Sequence, residues 1–96
     1  MTEEKKMMNG GDILIKCLLQ ENVKYLFGIP GGQFLNMYDA IYKWGKESGI
    51  ETILFRHEAS AAHAADAWSR VTNTPGICFG TVGPGALNLV AGVGAA

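Results

Sequence analysis

Cysteine is scarce in this sequence. Cys17 and Cys78 are the only two in 96 residues, and neither has the close pairing that metal sites and redox motifs use. Both read as buried free thiols, Cys17 in an amphipathic helical pattern and Cys78 in an apolar strand. An excess of one charge is also lacking. Eight Lys and Arg stand against nine Asp and Glu, for a formal net charge of −1, and the basic residues are scattered, so nucleic-acid binding is not suggested. No apolar run approaches a membrane span, and the charged stretch from Met1 to Met8 lacks the apolar core of a signal peptide. No membrane partner is expected, and the expected compartment is the cytoplasm. Repeats, low-complexity tracts and linkers are missing too, and no G-x-x-x-x-G-K-[ST] occurs, which excludes a nucleoside-triphosphate P-loop.

What is there is a chain 48% hydrophobic and 18% charged, the composition of a soluble globular unit of at most one domain. Asn9-Gly10-Gly11-Asp12 offers turn and capping residues, and Ile13, Leu14, Cys17 and Leu18, with Ile15 and Leu19, fill a broad apolar face at helical spacing. This predicts a helix over about 10–22. Val23 to Phe27 is β-rich and is closed by Gly28 and the loop Ile29-Pro30-Gly31-Gly32. Between Gln33 and Ser48, Phe34, Leu35, Tyr38, Ile41, Tyr42 and Trp44 recur at helical intervals, and Gly49 is placed to end that helix. The aromatic residues among them, and Trp68, read as core or subunit-interface packing.

Ile50 to Phe55 predicts a second strand, and Glu58 to about Val71 a third helix whose alanines let it approach its neighbours closely. Asp66 and Arg70 on it read as a surface ion pair. Ile77 to Thr81 predicts a third strand, and Val82-Gly83-Pro84-Gly85 turns into a last helix beginning near Ala86. The order αβαβαβα implies parallel strands, and so an α/β, Rossmann-like sheet with helices on both faces. Residues 1–9 read as a polar lead-in and 10–96 as a partial domain. Three strands are about half of a doubly wound sheet, so the chain reads as truncated.

Three stretches then fall at one edge of the sheet: Ile29 to Gly32, Arg56-His57-Glu58, and Val82 to Gly85. Open α/β sheets place ligands there, and Glu58 is the acid among the three. A carboxylate in the first turn of a helix is favoured by the macrodipole whether or not it does chemistry. His57-Glu58 invites a zinc reading, but the second histidine falls at His63 where H-E-x-x-H requires position 61, so no metal ligand is assigned. His57 reads as a polar residue at the sheet edge and His63 as a helix-surface residue. Gly83-Pro84-Gly85-Ala86-Leu87-Asn88 has the form G-x-G-x-x-N, one residue from the dinucleotide fingerprint. A dinucleotide- or CoA-binding half-domain therefore stays open.

Taken together, Tyr25 to Gly32, Asp39-Ala40-Ile41, Arg56-His57-Glu58-Ala59, Arg70, Pro75-Gly76 and Thr81 to Val90 resemble the pyrimidine-binding domain of thiamine-diphosphate enzymes, most closely the acetolactate synthase large subunit and the 2-oxo acid decarboxylases. The resemblance implies that Glu58 hydrogen-bonds N1′ of the aminopyrimidine, favouring the tautomer whose 4′-nitrogen takes the proton from thiazolium C2. It implies that Pro30, Gly31 and Gly32 lie beside the cofactor, with Gln33 on the substrate side. Thr81, Gly83, Pro84 and Asn88 would shape the turn near the pyrimidine. The substrate class would be a 2-oxo acid, joined to or cleaved from a carbon next to its carbonyl.

Two departures stand out. Ala65-Asp66-Ala67-Trp68-Ser69-Arg70 stands where the family usually has a glycine followed by tyrosine and alanine, so that Ala67 and Trp68 question close packing at the helix–sheet contact, and Val82 replaces a common serine. The Gly-Asp-Gly motif that holds Mg²⁺ and the diphosphate in this family does not occur in these residues. A partner domain, on the same polypeptide or on another subunit of a homo-oligomer, is expected to supply it. A non-catalytic regulatory or assembly subunit of the same fold is the other alternative.

Overall fold

The computed structural model describes residues 8–45 and 49–96. In chain order its elements are α1 (Gly10–Gln20), β1 (Tyr25–Gly28), a 3₁₀ turn (Gly32–Phe34), α2 (Leu35–Ala40), a π-helical turn (Ile41–Gly45), β2 (Glu51–Leu54), α3 (Glu58–Thr72), β3 (Ile77–Phe79) and α4 (Pro84–Ala95). The expected αβαβαβα order is present. Most of the predicted lead-in, residues 1–7, and the end of the second predicted helix, residues 46–48, lie outside the described residues.

The three strands form one parallel sheet in the order β2-β1-β3. β1 is central, with Gly28 opposite Leu54 on one side and Phe79 on the other, so the loops after all three strands leave from one edge. Period-two alternation along β1 sends its side chains to two separate cores. Leu26 joins Ile15, Val23, Met37, Ala40, Ile50 and Phe79 on the face covered by α1 and α2. Tyr25 and Phe27 meet Ala61, Ala65 and Trp68 of α3 on the other.

The small residues of α3 bring their neighbours close, as expected. A Cβ added to Gly76 would collide with the Ala65 backbone, and one added to Gly92 of α4 with the Ala62 side chain. Trp68 does not disturb this packing, because Ala61 and Ala65 make the close contact while its indole stands edge-on to Tyr25 at 5.0 Å. Helix α3 opens on a cap from His57, whose Nδ1 accepts the Ala59 N–H at 3.1 Å, and ends at Asn73 in the left-handed region. Asp66 and Arg70 pair at 2.9 Å on its surface, and His63 is exposed.

Several expectations need correction. Cys17 is exposed rather than buried, and with it Ile13 and Leu14, which are 53% and 45% exposed. An eleven-residue helix lying on one face of a narrow sheet buries only a stripe. Here that stripe is Asp12 and Ile15, with Leu18 and Leu19 partly covered. Cys78 is half-buried against the α3 core, and burial pushes its thiol up. Strand β3 ends at Phe79 rather than Thr81, and α4 begins at Pro84, whose fixed φ suits the first helical position.

The second predicted helix is not one regular helix. A 3₁₀ turn opens it and a π-helical turn closes its described part. That wider turn carries Trp44, whose Nε1 donates to Oδ1 of Asp12 at 2.9 Å. Asp12 is 2% exposed and also completes a capping box with Asn9. Lys43 lies 3.3 Å from the same carboxylate oxygen. These contacts hold the Asp12 carboxyl below its ordinary value, the indole N–H first among them. Tyr42, expected as core or subunit-interface packing, is 69% exposed in this chain and so is not part of its core.

Candidate active site

The site grows from the strand ends. Leu54 closes β2, and the chain turns through Phe55 and Arg56 to His57, whose extended backbone and capping ring start α3 at Glu58. Glu58 is therefore the first helical residue, where unpaired N–H groups and the helix dipole favour an anion. Its side chain does not run out to solvent. The residue is 9% exposed, and its carboxylate points across to the turn between β3 and α4.

That turn is shaped to receive it. A Cβ on Gly80 would stand 2.7 Å from the Gly85 carbonyl oxygen and 3.1 Å from Cγ of Glu58. One on Gly85 would stand 3.0 Å from Oε2 of Glu58 and 3.2 Å from Cγ2 of Thr81. Only glycine fits both walls without displacing something. Gly83 sits at φ +76° as the N-cap of α4, Pro84 follows, and the Ala86 N–H returns to the Thr81 carbonyl at 2.7 Å. From α4, Nδ2 of Asn88 donates to Oε1 of Glu58 at 3.0 Å.

Electrostatics follow the geometry. The Asn88 amide is the main cause holding the Glu58 carboxyl below its ordinary value, helped by the backbone N–H of Glu58 itself and weakly by His57, while burial pushes the other way. The balance leaves an ionised carboxylate near neutral pH inside a glycine-walled slot.

The sequence-predicted residues divide in two. Glu58, Asn88, Thr81 and the Gly83-Pro84 turn are brought together, and Gly31 joins them, since a Cβ there would stand 2.7 Å from Oγ1 of Thr81. Pro30, Gly32 and Gln33 are exposed on the first loop, with Gln33 inside the 3₁₀ turn, and a Cβ added to Gly32 would meet nothing within 4 Å among the described residues. Arg56 is exposed as well. Sequence reasoning missed Gly80 and placed Gly85 only in the sheet-edge turn and the dinucleotide alternative, yet both lie closer to Glu58 than Gly83 does. The signal was present as a glycine on each side of Thr81-Val82-Gly83-Pro84, but not the partner it served. The role of Asn88 as a donor to Glu58 was missed too.

Comparison with known proteins identifies the family of the chain. Residues 8–96 match the profile of the family described as thiamine pyrophosphate enzyme, N-terminal TPP binding domain. The acetolactate synthase large subunit of Cyanidium caldarium is 52% identical over 87 residues, which is 91% of this chain and 15% of that protein. That of Pyropia yezoensis is 49% identical over 87 residues, with the same two shares covered. The probable acetolactate synthase large subunit of Methanocaldococcus jannaschii is 48% identical over 89 residues, 93% of this chain and 14% of that protein. The chain thus spans about one-seventh of the length of these relatives. With a parallel sheet, a family match over nearly its whole length and relatives near half identity, the chain belongs to the N-terminal TPP-binding domain family of thiamine pyrophosphate enzymes.

Proposed function

We propose that this chain is the pyrimidine-binding part of a thiamine-diphosphate enzyme that acts on 2-oxo acids, acetolactate synthase-like, with Glu58 as its catalytic residue. One observation carries the reading: a carboxylate, 9% exposed, is held between two glycines and an asparagine amide at the carboxyl edge of a parallel sheet. The residues fit the pyrimidine end of the cofactor. Gly80 and Gly85 leave room for the Glu58 side chain at the sheet edge, and a carboxylate is the acceptor that a protonated ring nitrogen needs. When bound, thiamine diphosphate supplies the thiazolium carbon that forms and breaks the bond to the 2-oxo acid.

Glu58 holds and returns a proton at a carboxylate oxygen facing the ring nitrogen, which an amide could not exchange. Gly31, Thr81, Gly83 and Pro84 form the wall beside the ring, with Pro30 and Gly32 at its rim and Gln33 toward the substrate. The diphosphate and Mg²⁺ fall to a partner domain carrying a Gly-Asp-Gly motif. Among the described residues no group of three or more His, Cys, Asp or Glu could hold a metal ion. An assembly that brings two such domains together is part of the same proposal, and its setting is the cytoplasm. Among the described residues no helix is long and apolar enough to cross a membrane.

The dinucleotide reading has a physical obstacle. Its pyrophosphate would have to approach Gly85, where Oε2 of Glu58 already lies, and two anions at one turn repel. The assembly-subunit reading is separated by chemistry. In the full-length polypeptide containing this sequence, loaded with thiamine diphosphate and Mg²⁺, deuterium exchange at cofactor C2 is expected to slow by about a hundredfold or more in Glu58→Gln. Equal exchange in wild type and variant would remove Glu58 from the relay and leave the assembly role.

A further inference from the structure

The two oxygens of Glu58 are not equivalent. Oε1 accepts the Asn88 amide at 3.0 Å, across thirty residues of sequence. Oε2 lies against the Gly85 backbone, and among the described residues no side chain donates to it. An amide donor to one oxygen fixes both torsion and tilt of the carboxylate, so the other oxygen faces a single direction.

We propose that Asn88 is a positioning residue, whose amide clamps Oε1 of Glu58 so that Oε2 alone meets the pyrimidine nitrogen and exchanges its proton. The inference rests on the reading of Glu58 given above. The transfer is balanced at one atom pair: as the N–H bond breaks, an O–H bond forms at Oε2, and the same proton returns on the reverse step. Because Asn88 is neutral and cannot take that proton, it steadies the anion without competing for its task.

The same hydrogen bond makes the carboxylate easier to keep ionised. Among the described residues, the titratable group acting on Glu58 is His57 at the start of α3. The β3–α4 turn and α4 itself contain no charged residue. Removing the Asn88 amide should therefore raise the proton affinity of Glu58 with little compensation from nearby charges. The acid limb of any Glu58-dependent process should then move to higher pH.

The test uses the full-length polypeptide with thiamine diphosphate and Mg²⁺ as the probe. C2 deuterium exchange and cofactor affinity by tryptophan fluorescence are followed across pH in wild type, Asn88→Ala, Asn88→Asp, Glu58→Gln and the Glu58→Gln/Asn88→Ala double variant. In Asn88→Ala the acid limb of exchange is expected to shift upward, with exchange near neutrality about tenfold slower. Affinity should change by less than about threefold, since the clamp touches Glu58 and not the diphosphate. Added to Glu58→Gln, the Asn88 change should cost nothing further.

An unshifted pH profile in Asn88→Ala, or a full additional loss in the double variant, overturns the positioning role while leaving Glu58 in place. Glu58→Gln exchanging as fast as wild type overturns the Glu58 reading instead. Should Asn88→Ala fail to fold by circular dichroism, Asn88→Asp decides. It is nearly isosteric, lacks the donor and sets a like charge beside Glu58, so an upward shift supports the clamp and a wild-type profile refutes it.

Discussion

At the scale of the residue, the site depends on two atoms that are absent. Gly80 and Gly85 lack the Cβ that would otherwise occupy the space of the Glu58 side chain and its neighbouring backbone. Gly80 is the stricter case, because its missing Cβ would meet a carbonyl oxygen, which cannot swing away as a flexible side chain can. Gly80→Ala in the full-length protein is expected to cost about 1–3 kcal/mol of stability by overpacking. It should also slow C2 exchange by displacing Glu58. Thermal unfolding and exchange on one sample check both, and an unchanged melting temperature would mean that the turn yields freely. Glu58 was legible in the sequence because strand, turn and helix signals flank it. Its glycine walls were not, because nothing in a linear pattern says that residues 58, 80 and 85 meet.

At the scale of the element, α1 and the π-helical turn are joined through Asp12. The sequence showed Asp12 as a capping residue and Trp44 as helical packing, and each was half of the account. The π turn brings the indole to the carboxylate, so a cap becomes a buried tie between two elements. Lys16 adds a cation over the same indole, 3.9 Å from its ring centroid. Trp44→Phe keeps an aromatic ring but removes the indole N–H together with the fused ring, and is expected to lower the melting temperature by a few degrees near neutral pH.

The pH dependence of that effect has a definite sign. The folded-state value of Asp12 lies below its ordinary 3.8, so its stabilising share is fully present above that value and is lost as pH falls through the lower folded value. The gap between wild type and Trp44→Phe should therefore be widest near neutrality and close in acid. Melting curves measured from neutral to acidic pH check this. A gap independent of pH would mean that Trp44 contributes through packing alone.

At the scale of the whole molecule, the apolar surface is unevenly used. Leu87, Val90 and Val93 line one side of α4 at 71%, 62% and 62% exposure, and Leu54 on β2 is 73% exposed. Both outer strands, β2 and β3, are paired on one side only among the described residues. Unpaired edges and contiguous apolar faces favour association. A polypeptide of these 96 residues made alone is expected to self-associate, which sedimentation at increasing concentration would show. A monomer with a sharp, concentration-independent unfolding transition would contradict it. The sequence by itself determined the element order, the parallel α/β class, the family and the place of Glu58, because periodicity, turn residues and glycine spacing are local and survive in one dimension. Only the tertiary structure decided which stripe of α1 is buried, that Trp44 reaches Asp12, and that Asn88 and two glycines enclose Glu58. Those are contacts between residues far apart in the chain, fixed by how helices seat on the sheet rather than by any property that each segment carries alone.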